Sequence, residues 1–168
     1  MRSRWAEAIP EYETVLALNR NSVYAVFALG QCKLFTGSIE ETIPLVERAI
    51  RLSPRDPEIG VWYLNIGNVH LLQSRTIEAI SWLEKARNHT PALSLIRGLL
   101  ASAYGLNGEI ERATAELTEA RRLSGDDRFS SLARLRALGV YGAVVPQIQA
   151  LLEATYFAGL RKAGMPEE

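Results

Sequence analysis

The sequence predicts an all-α fold, a solenoid of antiparallel helical hairpins with a C-terminal helical extension, and three observations predict it. Two stretches repeat one pattern 37 residues apart: Gly30, Ala49 and Pro54 in one, Gly67, Ala86 and Pro91 in the other. A further copy follows at a step of 34 residues, with Ala101, Ala120 and Gly125 in the equivalent places. Each copy splits into two apolar stretches at helical spacing around a turn position, Gly37, Ser74 or Gly108. A period in the mid-thirties, with small residues at fixed places and a breaker closing each unit, marks stacked helical hairpins. Small residues in the first helix let the second come close, and each hairpin leaves an apolar face that only a neighbour covers.

In chain order, the first unit is half present, spanning residues 4–20. Ala8, Tyr12, Val15 and Leu18 match a second helix, each 34 residues before its counterpart. With no first helix before it, apolar surface around Trp5, Ile9 and Tyr12 is left uncovered, a candidate self-association surface. Either the chain belongs to a longer protein or a partner covers that face. The next unit, about 23–54, carries Leu29-Gly30 in its first helix. Ser38-Ile39-Glu40-Glu41 then reads as a capping box, followed by Thr42, Val46, Ala49 and Leu52, with Pro54 stopping the helix. The unit at 60–91 repeats this through Ile66-Gly67, Ala79, Leu83 and Ala86; three extra residues around Arg55-Asp56-Pro57 account for the longer step. The unit at 94–125 carries Leu100-Ala101, Tyr104, Ala113, Leu117 and Ala120. Pro10 and Pro44 sit in equivalent places early in second helices, where a mild kink is the most they cause.

Residues 1–126 therefore read as the solenoid and 127–168 as C-terminal capping helices. Phe129 to Leu138 predicts one helix, with Leu132, Leu135 and Leu138 on one face. Gly139-Val140-Tyr141-Gly142 breaks the chain, and a final helix runs from about Val144 to Ala163, with Pro146 in its first turn and Gly164 as its stop. Its stripe of Ile148, Leu151, Leu152, Thr155, Tyr156 and Leu160 is read as capping the stack. The alternative is that it docks in the groove of its own or a neighbouring molecule.

Nineteen acidic and nineteen basic residues cancel, which removes the electrostatic basis for nucleic-acid binding. Arg121, Arg122, Arg128, Arg134 and Arg136 read as a solvated helix surface. Cys32 is the single cysteine, so the chain forms no internal disulfide and no multi-cysteine zinc site. The longest apolar stretch, Leu95 to Leu106, contains Arg97 and is too short to span a membrane. Glu7, Glu11 and Glu13 argue against a secretion signal, and the reading is cytoplasmic, with no membrane partner.

No catalytic, cofactor or metal site is read. His70 and His89 lie in different helices without metal-motif spacing; His70 reads as packing and His89 as a helix C-terminal cation. Gly105-Leu-Asn-Gly108 is an inter-helix turn, lacking a preceding strand and a following Lys-Ser/Thr. Asp126-Asp127 reads as a helix start, and Cys32 as packing within a hairpin.

The repeated Leu-Gly, Tyr, Ala and Pro positions, over about Trp5 to Gly125, resemble the tetratricopeptide repeat. Where that family often has Trp in the first helix, this chain has Val26, Tyr63 and Arg97. The resemblance implies a right-handed solenoid and a non-catalytic protein-interaction module without cofactors. It also implies a concave, partner-binding row of Tyr24, Phe27 and Gln31, then Val61, Leu64, Asn65 and Asn68, then Leu95, Gly98 and Ser102. The basic residues that grip a chaperone's C-terminal carboxylate are missing from this row. The implied ligand is an amphipathic helix or extended apolar peptide; alternatively the row fills its own interior. Homo-oligomerisation is an alternative function. Arg51-Leu-Ser-Pro-Arg-Asp-Pro57, Trp62-Tyr63 and Tyr156-Phe-Ala-Gly-Leu-Arg-Lys-Ala-Gly-Met-Pro166 further resemble repeat regions behind nucleotide cyclase domains in soil alphaproteobacteria. That resemblance implies a bacterial signalling context, or a regulatory fragment of a longer cyclase, with no cyclase domain in these residues.

Overall fold

The computed structural model describes residues 4–138 and 144–168. Helix α1 (Arg4–Leu18) leads into three hairpins: α2 (Val23–Phe35) with α3 (Thr42–Leu52), α4 (Ile59–Leu72) with α5 (Thr76–His89), and α6 (Ser94–Leu106) with α7 (Ile110–Ser124). A short α8 (Leu132–Ala137) follows. The tail helix comprises α9 (Pro146–Leu152), a π-helical turn (Glu153–Phe157) and α10 (Ala158–Lys162).

The two helices of each hairpin do different work, and their sequences show it. Helix α4 buries twelve of its fourteen residues, as an element apolar all round must. Helix α5 buries only Ala79, Leu83 and Ala86, one narrow stripe of small and apolar residues. Thr42, Val46 and Ala49 do the same on α3, and Ala113, Glu116, Leu117 and Ala120 on α7. First helices thus form the middle of the stack and second helices its outer layer. Helix α3 packs on α4 and α5 on α6, which joins the hairpins into one array.

All three hairpin turns need a left-handed residue. Gly37 (φ +96°) and Gly108 (φ +82°) supply it freely, whereas Ser74 adopts φ +59° with a side chain. Beyond the turn of the first hairpin the structure corrects the expected capping box. Ser38 makes no side-chain cap; a 3₁₀ turn (Ile39–Glu41) intervenes, and Glu41 instead meets Lys33 at 3.1 Å. Burial of Ile39 draws this turn inward, so α3 starts at Thr42. Pro10 leaves α1 continuous.

The C-terminal part also differs from expectation in detail. Helix α8 begins at Leu132, because Ser131 Oγ accepts from Arg134 N (3.1 Å) and caps it. Asp126 and Asp127 do not start a helix; they pair with Arg128 and Arg134. Leu132 and Leu135 are buried and Leu138 is not. The predicted break at 139–142 lies outside the described residues.

Replacing Ser74 by glycine relieves a left-handed side chain, against the entropy that glycine loses on folding; the net gain is about 0.5–1 kcal/mol. Ser74→Gly is expected to raise the urea midpoint of the chain with an unchanged slope.

Candidate partner-binding faces

The inner face of the stack is the surface formed by α2, α4 and α6 opposite the second helices, and the tail helix lies on it. The tail enters beside the end of α2, where Val145 N donates to Phe35 O (3.4 Å). It touches α4, then packs along α6 and reaches α7. At the α6 crossing neither helix has room for a side chain. A Cβ on Gly105 would overlap the carbonyl of Gly159, and one on Gly159 would overlap Ser102; a Cβ on Gly98 would come within 2.5 Å of the Phe129 ring. The π-helical turn lies at this crossing. Its widened backbone turns carbonyls outward, and Ser102 Oγ donates to Tyr156 O at 2.9 Å. Ion pairs of Arg136 and Arg161 with Glu153, together with backbone bonds from Leu132 and Ala133 to Pro166 and Glu167, tie the tail down.

This seat decides the fate of the expected concave row. Ser102 is wholly buried and Gly98 is covered by Phe129 and Tyr156, so both serve the tail's own docking. Leu64 is buried in the core cluster that contains Ile148, Leu152 and Tyr156. Phe27 is buried against Trp62, its ring 5.7 Å away. Asn65 spends its amide on Val61 O of its own helix (2.8 Å), and Asn68 Oδ1 is buried with no hydrogen-bond partner among the described residues. What stays accessible is a rim: Tyr24 at 71% exposure, with Gln31, Val61 and Leu95 half-buried. The tail is therefore not only a cap on the far end of the stack; it fills most of the inner face, because Gly98, Ser102 and Gly105 give it a smooth track.

Helix α1 is likewise less bare than the half repeat suggests. Trp5 meets Phe35 (4.5 Å between ring centroids), Tyr12 meets Tyr24 edge-on (6.2 Å), and Trp5, Ile9 and Tyr12 are all half-buried on this side. The exposed apolar residues are instead Val15 (42%) and Leu18 (87%).

A third surface escaped the sequence reading: the clefts between successive second helices. Between α5 and α7 the cleft is closed by charge. Glu116 accepts from both Arg87 and Arg97 (3.0 Å to Arg97), and Glu84 accepts from Tyr104 (2.5 Å) and Arg112 (2.7 Å). The Tyr104 and Arg112 contacts hold the Glu84 carboxyl below its usual range, while burial and Glu84 push the Tyr104 phenol up. Between α3 and α5 no such network exists among the described residues. A cavity of about 560 Å³ opens there, lined by Glu47, Ile50, Arg51, Tyr63, Trp82, Lys85 and His89. A contiguous one of about 340 Å³ shares Glu47 and Trp82 and extends to His70. The signal available in sequence was a pair of aromatics in one hairpin, Tyr63 on α4 and Trp82 on α5.

Burial holds the His70 imidazole below its ordinary range and raises the Cys32 thiol. His89 bonds the Lys85 carbonyl (2.9 Å) and stacks edge-on with Tyr63. Among the described residues no cluster of His, Cys, Asp and Glu is arranged to hold a metal, and no helix is long and apolar enough to cross a membrane.

Comparison with solved structures places this architecture. TTC0263, a thermophilic TPR protein of Thermus thermophilus, superposes with a TM-score of 0.66 at 19% identity, over 96% of this chain and 84% of that one. MamA from Desulfovibrio magneticus gives 0.64 at 16%, over 95% and 85%. YrrB, a TPR protein with an unusual peptide-binding site, gives 0.60 at 14%, over 95% and 78%. The fold is a tetratricopeptide-repeat solenoid. No protein-family model matches the sequence, and no curated protein does.

Two outcomes test this geometry. Ser102→Ala removes the buried hydroxyl that donates to the Tyr156 carbonyl across the α6–tail crossing and is expected to cost about 1 kcal/mol in urea unfolding, with earlier proteolysis in the tail. The second concerns pH. With its folded-state pKa depressed, Glu84 contributes stability above its unfolded value, which is lost as pH falls through the carboxylate range. Glu84→Gln is expected to flatten the drop in urea midpoint between about pH 7 and pH 4.

Proposed function

We propose that the chain is a non-catalytic protein-interaction module of the tetratricopeptide type, meeting its partner along the accessible rim of the inner face at Tyr24, Gln31, Val61 and Leu95. The observation that carries this reading is the seat of the tail helix. An inner face that accepts an apolar helix from its own chain through burial, small residues and a serine has the chemistry for helix-in-groove recognition. The likeness to YrrB, whose peptide-binding site is described as unusual, supports a peptide ligand. The deeper positions of the row, Phe27, Leu64, Asn65, Asn68 and Ser102, shape that face from beneath.

Self-association is the second reading, favoured by the exposed Val15 and Leu18 on α1. Their registry counterparts on α3, Ala49 and Leu52, are buried and half-buried, whereas Val15 and Leu18 on α1 are exposed. A link to cyclase-type signalling in a bacterial cytoplasm rests on the Arg51–Pro57 and Tyr156–Pro166 strings, the latter being the part of the tail seated on α6. Titration against a purified nucleotide cyclase catalytic domain, with no heat of binding, removes that link.

The module reading is tested by panning a random dodecapeptide library on the full chain. Enriched peptides are expected, with affinity falling about tenfold in Tyr24→Ala/Val61→Ser, while helical content is unchanged. If no peptide is enriched and light scattering shows a concentration-dependent dimer dissolved by Val15→Glu/Leu18→Glu, self-association replaces it.

A further inference from the structure

Register comparison of the two outer clefts shows a substitution of one kind of chemistry by another. Counting 37 residues back from α5 to α3 and 34 from α6 and α7 to α4 and α5, Glu84 corresponds to Glu47, Arg87 to Ile50, Arg97 to Tyr63 and Glu116 to Trp82. In the cleft between α5 and α7 these four positions hold two acids and two arginines joined by ion pairs, with Arg87–Glu116 crossing from one hairpin to the next. In the cleft between α3 and α5 three of the four are large and apolar or aromatic, and the cavity of about 560 Å³ stands open above them. Tyr63 and Trp82 lie 5.6 Å apart, centroid to centroid, and both stay half-exposed, as does Ile50. Two cations, Arg51 and Lys85, line this open cleft against one acid, Glu47. Among the described residues neither Arg51 nor Lys85 has an ion-pair partner, and the Lys85 ammonium rests 4.2 Å from the Trp82 ring centroid.

We propose that the outer cleft between α3 and α5 docks a linear segment of a partner protein that carries a large apolar or aromatic residue beside acidic residues. The apolar side chain enters between Ile50, Tyr63 and Trp82. The adjacent carboxylates meet Arg51 and Lys85, whose long side chains reach over the cavity mouth. Charge complementarity selects this occupant: a basic segment would bring its cations against Arg51 and Lys85, with Glu47 as the single acid lining this cavity to receive them. This site lies on the opposite side of the first helices from the inner rim, and it rests on the reading of the chain as a protein-interaction module.

The test uses the full chain and two fluorescein-labelled dodecapeptides taken from the panning above, or designed with a Trp or Leu between Asp and Glu. One keeps its acids and the other has them changed to Lys. Fluorescence anisotropy is expected to show binding of the acidic peptide and at least about tenfold weaker binding of the basic one. Ile50→Arg/Tyr63→Arg/Trp82→Glu copies the sealed cleft next door and is expected to abolish binding of the acidic peptide. Arg51→Glu/Lys85→Glu, which changes only side chains at the cavity mouth, is expected to invert the preference. Circular dichroism of both variants checks that the helices remain. Peptide binding that survives both variants, but is lost in Tyr24→Ala/Val61→Ser, overturns the outer site and leaves the module reading standing. Absence of binding by any enriched or designed peptide overturns both.

Discussion

Backbone-to-backbone approach at residues without a Cβ is the constraint on which the rest of this molecule depends. At Gly67 an added Cβ would lie 2.7 Å from Leu83 Cγ, so the spacing of α4 and α5 is set by the absence of one carbon. Helix α6 carries the constraint on two sides. It packs against α7, while its Gly98, Ser102 and Gly105 meet the tail and the Phe129 ring. Interhelical separation follows the size of the side chains at the crossing, so a track of small residues admits a second helix where a leucine track would hold it off. The tail's π-helical turn belongs to the same constraint. It keeps Gly159 against Ser102 and Gly105, and the carbonyl of Tyr156 that it presents is taken up by the one hydroxyl on that track.

The repeat was legible because each unit must meet the same packing demand. Small residues recur wherever first and second helices cross, and glycine recurs at turns that need positive φ, so the pattern survives large changes elsewhere. Ser74 was recognisable as a turn residue from position alone, and the structure gives it the backbone of its glycine counterparts. The capping box at Ser38 misled because its residues satisfy a local rule that burial of Ile39 overrides. The tail's destination was half legible. An apolar stripe at helical spacing announces burial but not against what, and a stripe that can cap a stack can also lie in its groove. The discriminating feature was on the receiving side, in Gly98, Ser102 and Gly105 spaced at i, i+4 and i+7 with Gly159 opposite. Taken one helix at a time, Gly98 and Ser102 look partner-facing and Gly105 looks like the start of the inter-helix turn, although it lies within α6; only their pairing with Gly159 shows that the partner is the chain's own tail.

Filling the inner face moves the accessible chemistry to its margins. Along the inner row only Tyr24, Gln31, Val61 and Leu95 keep access, at the start and edge of the first helices. The outer layer then matters more than in a hollow stack, since α3, α5 and α7 present most of the remaining surface. Their apolar stripes are narrow and spent on the first helices, so any recognition there must use the clefts between them.

Those two clefts solve one packing problem in opposite ways. Where hairpins diverge on their outer side, the gap must be bridged, left wet or filled by another molecule. The α5–α7 gap is bridged: Glu116, with a side chain only 10% exposed, is shared by two arginines, so its largely buried charge is paired and hydrogen-bonded. In the α3–α5 gap Ile50, Tyr63 and Trp82 stand where the charged residues stand next door, and part of their surface stays in water at roughly 25 cal/mol per Å² of unburied apolar area. The same register positions, one unit apart, thus carry either charge or apolar and aromatic side chains. The apolar set leaves surface partly in water, and a partner's side chain seated between Ile50, Tyr63 and Trp82 would complete its burial.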